Sequence, residues 1–116
     1  MSNVPNLTSH NVNNNYLSLI NVSKNPLLQW LSLSANKLNY LDLIYNQQLV
    51  VIDCRNNNFD AQGLNNLFHT LHANPPNITP RRCRIRKTIL IGGNPGTRYC
   101  ERRIARQKGW VVENSR

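Results

Sequence analysis

The chain has 116 residues, room for one small domain, with a formal net charge of +9 and a 40% hydrophobic content enriched in asparagine. No apolar run approaches the roughly 20 residues that a membrane-spanning helix needs. Three cysteines, Cys54, Cys83 and Cys100, leave at least one thiol unpaired within the chain, and without a C-x-x-C pair they exclude a zinc ribbon and a thioredoxin-like motif. The first ten residues contain neither the basic nor the apolar stretch of a secretory leader, so as written the chain reads as cytoplasmic or as a fragment of a longer exported protein.

In chain order the first feature is an internal repeat. A single shift of the sequence against itself places Ile20 on Leu41, Val22 on Leu43, Asn25 on Asn46, Leu28 on Leu49, Leu31 on Ile52, Leu33 on Cys54, Asn36 on Asn57 and Leu38 on Phe59. Backward, Leu7, Val12, Asn15 and Leu17 fall on Leu28, Leu33, Asn36 and Leu38, whereas His10 falls on Leu31 and degrades the first rung. Each unit is itself double, because Leu31-x-Leu33-x-x-Asn36 is followed by Leu41-x-Leu43-x-x-Asn46. In an extended strand the two apolar residues of L-x-L point the same way. The asparagine follows where the chain turns inward, and its short amide can bond backbone groups opened by that turn. Stacked rungs would build an asparagine ladder beneath parallel strands.

The pattern over Leu28–Asn46 resembles the leucine-rich repeat family, in its nested class of alternating ten- and eleven-residue units, LxxLxLxxNxLxxLDLxxN. The resemblance covers residues 7–59, about two and a half of the double units. It implies an α/β solenoid: a short leucine-rich-repeat parallel β-sheet with an inserted helix and a C-terminal helical cap. It also implies a protein that binds other proteins, secreted or on the cell surface if this chain is a fragment.

Residues 60–94 read as a longer last repeat. Leu64, Leu67, Phe68 and Leu71 lie on one face of a helix over about 60–73, with Asp60 as N-cap and Pro75-Pro76 as the stop. Ile89-x-Ile91-x-x-Asn94 predicts a final strand over about 87–92. The stretch Ile91-Gly92-Gly93-Asn94-Pro95-Gly96-Thr97, with the later Lys108-Gly109-Trp110-Val111-Val112, resembles the C-terminal end of Bacteroidetes-type bacterial leucine-rich repeat proteins. Residues 95–116 are then the cap, helical from Thr97 to about Lys108, with Gly109 as a C′ glycine and Trp110-Val111-Val112 covering the last rung. The N-terminal end has no such cap. A truncated longer protein is expected, or a chain that oligomerises through its open end.

Enzymatic constellations are scarce. The five acids are Asp42, Asp53, Asp60, Glu101 and Glu113, and no pair of them reads as a catalytic dyad. His69 and His72 lie three apart on the inserted helix but lack a third metal ligand. Cys54 replaces a core leucine; Cys83 and Cys100 sit among arginines and could form a disulfide in an exported chain. The glycine-rich turn lacks the G-K-[ST] ending of a phosphate loop. No catalytic residue, cofactor or metal is expected.

All the net charge sits in residues 81–116, with eleven Lys/Arg against two acids. The candidates for a polyanion are Arg81, Arg82, Arg84, Arg86 and Lys87, with Arg98, Arg102 and Arg106 spaced along one helical face. Few aromatic residues accompany them for base stacking. On the sheet, the same repeat register aligns Trp30 with Val51, Ser32 with Asp53 and Ser34 with Arg55. That mixed aromatic and polar surface predicts a non-catalytic module for protein–protein interaction. The alternative is a binder of nucleic acid or another polyanion through the basic third.

Overall fold

A computed structural model describes residues 7–74 and 86–114. Each repeat contributes one strand of three residues: β1 (Ser9–Asn11), β2 (Trp30–Ser32) and β3 (Val51–Asp53). Helix α1 (Ala61–Thr70) follows, then β4 (Thr88–Leu90), a single turn of helix α2 (Arg103–Arg106) and β5 (Val111–Glu113). The strands form one parallel sheet in the order β1-β2-β3-β4-β5. The register pairs His10 with Leu31, Leu31 with Ile52, Ile52 with Ile89 and Ile89 with Val112. Side chains alternate along a strand, so this central row faces inward and the rows on either side face outward.

The core lies between the sheet and the returning chain. Leu31, Leu33, Ile52 and Ile89 meet Leu38, Leu41, Leu43 and Leu49 there, with Leu64, Leu67 and Phe68 closing it from α1. The helix starts where Asp60 Oδ1 accepts the Gly63 N–H at 2.7 Å, which satisfies one of the orphan donors of its first turn. Its stop signal, Pro75-Pro76, lies outside the described residues.

A column of buried asparagines ties the rungs together. Asn57 Oδ1 accepts the Leu38 N–H at 3.0 Å, and its Nδ2 donates to Leu33 O at 2.9 Å and Cys54 O at 3.2 Å. Asn36 repeats this one rung earlier, accepting from Asn15 and Leu17 and donating to Val12 O and Leu33 O. Asn94 repeats it one rung later, accepting from Asn57 and Phe59 and donating to Cys54 O and Ile91 O. A second contact of this kind joins Asn46 Nδ2 to Val22 O and Asn25 O at 2.9 and 3.0 Å.

The turn into each ladder asparagine needs a left-handed residue. Asn14, Ala35 and Asn56 hold φ of 60°, 57° and 58°, and Gly93 holds 76°, each one position before the ladder residue of its rung. At Gly93 a Cβ would lie 2.0 Å from Asn56 Oδ1, so any larger residue would have to displace the Asn56 side chain. Ala35 bears the steric strain of this conformation with no amide to offset it.

Two expectations from the sequence change. Leu41 and Leu43 are buried, but Leu41-x-Leu43 forms no strand. There Asp42 Oδ1 accepts the Ile44 N–H, and the Leu43 N–H goes to Thr70 Oγ1 of α1 rather than to a neighbouring rung. The stretch from Thr97 to Lys108 is not one helix either; only Arg103–Arg106 is α-helical. Gly96 packs against the Asp60–Ala61 backbone, where a Cβ would lie 2.1 Å from Ala61 N, and the Thr97 hydroxyl lies within hydrogen-bond reach of Ile91 O and Asn94 O. Those anchors hold residues 94–100 as successive turns. Gly109, at φ 86°, closes α2 with Trp110 N–H on Ala105 O and its own N–H on Arg106 O, a Schellman pair. The chain then adds the fifth strand.

Urea melts of single variants test this account. Asn57→Ala is expected to cost about 1–3 kcal/mol, because it strips buried N–H and C=O groups of their partners, while Asn58→Ala, exposed beside it, should change little. Ala35→Gly should stabilise by roughly 0.5–1 kcal/mol by relieving the left-handed turn. Equal costs at Asn57 and Asn58, or a destabilised Ala35→Gly, would contradict the ladder geometry.

Candidate interaction surface

The outward rows of the sheet hold most of the residues that the repeat aligns. One row runs Ser9, Trp30, Val51, Thr88, Val111, and the other runs Asn11, Ser32, Asp53, Leu90, Glu113. Trp30 is 42% exposed and lies directly beside the half-buried Val51. Ser34 and Arg55 follow the ends of their strands. Thr88, Leu90, Val111 and Glu113 extend both rows and were missed in the sequence. Val111–Glu113 carries no L-x-L-x-x-N signature, and only the register reveals it as a rung.

Several polar groups on this face are already satisfied within the chain. Arg55 grips Asp53 through two bonds, Nε to Oδ1 at 2.9 Å and a terminal nitrogen to Oδ2 at 2.7 Å. Asp53 Oδ1 also accepts the Arg55 backbone N–H. Ser32 Oγ donates to Asn13 Oδ1, which also accepts the Ser34 N–H. Asp53 and Arg55 therefore present a neutralised pair, and the unsatisfied contact capacity of the face lies in its apolar surface around Trp30.

The basic candidates are divided by the structure. Arg81, Arg82 and Arg84, like Cys83, lie outside the described residues. Arg86, Arg98 and Arg106 are exposed, but Arg98 and Arg106 do not share a continuous helical face, since α2 begins only at Arg103. Arg102 is committed locally: its guanidinium donates to Thr97 O and Asn114 Oδ1. Lys87 is corrected outright as a polyanion contact. It is 4% exposed, its ammonium donates to Lys108 O at 2.7 Å, and it sits over the Trp110 ring at 5.3 Å.

Lys87 belongs to a clasp that holds the C-terminal turn against the end of α1. Trp110 Nε1 donates to His72 O at 2.9 Å, and the His72 and Trp110 rings meet edge to face at 5.5 Å. Lys108 Nζ donates to His69 O and Phe68 O at the end of α1, the latter also accepting the Leu71 N–H. The His72 ring bridges Leu49 O through Nε2 at 2.8 Å and the Asn74 N–H through Nδ1 at 3.0 Å. This pairing assigns the proton to Nε2. Burial lowers the His72 pKa below the ordinary histidine value, the Leu49 bond opposes the shift, and the Lys87 and Lys108 charges add to it. Cys54 is a buried thiol whose pKa burial drives up, and Cys100 is a free buried thiol, also raised by burial, on Thr97 O. Neither is a reactive thiolate.

The returning segments carry exposed apolar side chains that the repeat alignment did not single out. Leu19, Leu27, Tyr40, Ile44 and Tyr45 are each at least 44% exposed. The signal was available: Leu19 and Tyr40 each directly precede an inward position of the repeat, Ile20 and Leu41. Comparison with protein-family models, with curated proteins and with solved structures returns no match.

The clasp makes stability depend on pH with a definite sign. His72 is held neutral in the folded chain, so its contribution is fully present above the unfolded histidine pKa of about 6.5 and is lost as pH falls through the lowered folded value. His10, whose pKa burial also lowers, acts in the same direction. Melting temperature should fall between about pH 7 and pH 5, and His72→Gln should flatten that fall. A His72→Gln profile as steep as the parent's would remove His72 from the account.

Proposed function

We propose that the chain is a short leucine-rich-repeat solenoid acting as a non-catalytic protein-binding module, with the outward face of its sheet as the contact surface. The regular one-strand-per-repeat order and the asparagine column support the solenoid reading. The observation that carries the binding reading is the in-register pairing of the exposed Trp30 with Val51, followed by Thr88 and Val111. A large aromatic beside β-branched neighbours, with an internally paired Asp53–Arg55 next to it, desolvates at little polar cost. Partner recognition therefore centres on Trp30, with Val51, Ser32 and Ser34 around it and Asp53–Arg55 at the rim.

A second reading rests on charge. The excess of eleven cationic residues over two acids in residues 81–116 supports weak, sequence-independent polyanion binding, to which Arg86, Arg98 and Arg106 contribute at the surface. Such binding falls steeply with salt and does not depend on Trp30.

A photoreactive side chain placed at Ser32 should capture a discrete protein adduct, and one placed at Asn66 on the exposed side of α1 should not. Trp30→Ala should weaken that interaction by about 2 kcal/mol or more, the scale of a central aromatic contact. Equal capture from both positions, or capture unaffected by Trp30→Ala, would reject the sheet face as the site. Titration with heparin and two duplexes of unrelated sequence over a salt series separates the charge reading: similar weak, salt-sensitive binding to all three is the expected result.

A further inference from the structure

The stacking of Leu19-Ile20-Asn21 against Tyr40-Leu41-Asp42 on the returning side leaves a cleft of about 340 Å³, away from the sheet face. Its rim is apolar and aromatic: Leu19, Tyr40 and Tyr45 are 68%, 55% and 65% exposed. Asn21, Asp42 and Ser23 also line it. Asn21 Oδ1 accepts the Ser23 N–H at 2.9 Å, and Asp42 Oδ1 accepts the Ile44 N–H at 3.0 Å. These bonds fix both side chains by one atom. Asn21 Nδ2 and Asp42 Oδ2 have no partner among the described residues. The lining therefore offers an anchored donor and an anchored acceptor, the hydroxyls of Ser23, Tyr40 and Tyr45, and no cationic side chain.

We propose that this cleft is a subsite for a neutral pyranose sugar. A pyranose has one face of C–H bonds and a perimeter of hydroxyls. The negative face of a tyrosine ring attracts the C–H face, and the amide, carboxylate and hydroxyl groups match the perimeter. The volume lies within the range of small-ligand sites. A purely apolar occupant would leave Asn21 and Asp42 desolvated without partners. An anionic occupant would meet Asp42 with no cation in the lining. An organic cation would suit Tyr40, Tyr45 and Asp42, but a quaternary ammonium offers no acceptor to the Asn21 Nδ2 donor.

The test uses the isotope-labelled full chain titrated with maltose, cellobiose, diacetylchitobiose and, separately, tetramethylammonium chloride, following the amides of Ser23 and Ile44. At least one disaccharide should give saturable shifts at both amides with a dissociation constant on the order of 1–10 mM. Tyr40→Ala and Tyr45→Ala should each weaken it at least about tenfold. Both side chains are mostly exposed, so the melting temperature should stay unchanged and a folding defect is separated from a binding defect. Trp30→Ala on the opposite sheet face should leave sugar affinity unchanged, so this site and the protein-binding reading stand or fall independently. No saturable shift with any of the three sugars, shifts that survive both tyrosine variants, or saturation by tetramethylammonium alone would each overturn the proposal.

Discussion

The amide of a buried asparagine is the contact on which the rest of the structure depends. A turn that leaves a strand and heads inward must expose backbone N–H and C=O groups where no water reaches them. A leucine at position 57 could fill the space but could not satisfy Leu38 N–H, Leu33 O and Cys54 O together. Asparagine has both a carbonyl and an amino group on the shortest stem that allows it. The side chain is thus shared between two rungs, and each rung completes the hydrogen bonding of the one before.

This sharing explains why strands of only three residues suffice. An isolated three-residue strand has little stability. Here the ladder continues past each strand, through Leu33 N–H on Asp53 O, Cys54 N–H on Leu90 O and Ile91 N–H on Glu113 O, until it meets the asparagine column. The two surfaces on either side of this core differ in character. On the sheet side, polar groups are consumed locally by Asp53–Arg55 and Ser32–Asn13. On the returning side, Asn21 and Asp42 spend one atom on a turn and keep the other.

Much of the strand side of the structure was legible in the residues. The shift that pairs Leu31 with Ile52 is the register of β2 and β3, because a period-two strand placed once in every repeat leaves the inward side chains no other alignment. Helix α1 was visible for the same reason, through the helical spacing of Leu64, Leu67 and Phe68. The returning half was not: Leu41-x-Leu43 has the spacing of a strand, but the Leu43 N–H goes to Thr70 and the next, of Ile44, to Asp42. Nor does charge density indicate availability. Lys87 sits in a basic run and is buried because three neighbouring groups, Lys108 O, His72 O and the Trp110 ring, replace water around its ammonium.

The ladder's contacts also set the order in which segments can find one another. Asn36 reaches residues 15, 17 and 12 at separations of 19 to 24, and Asn57 does the same toward residues 38 and 33. Asn94 must instead reach back 35 to 40 residues, to Phe59 and Cys54, across the stretch that contains α1. Closing a longer loop costs more entropy, by about 0.6 kcal/mol per doubling, which is repaid when β4 pairs with β3 and Asn94 docks. The early rungs can therefore zip together over short spans, each templating the next, while β4 and everything beyond it wait on one long closure. That junction, where β4 pairs with β3 and Asn94 docks on Cys54 and Phe59, is a longer-range closure than any between the earlier rungs.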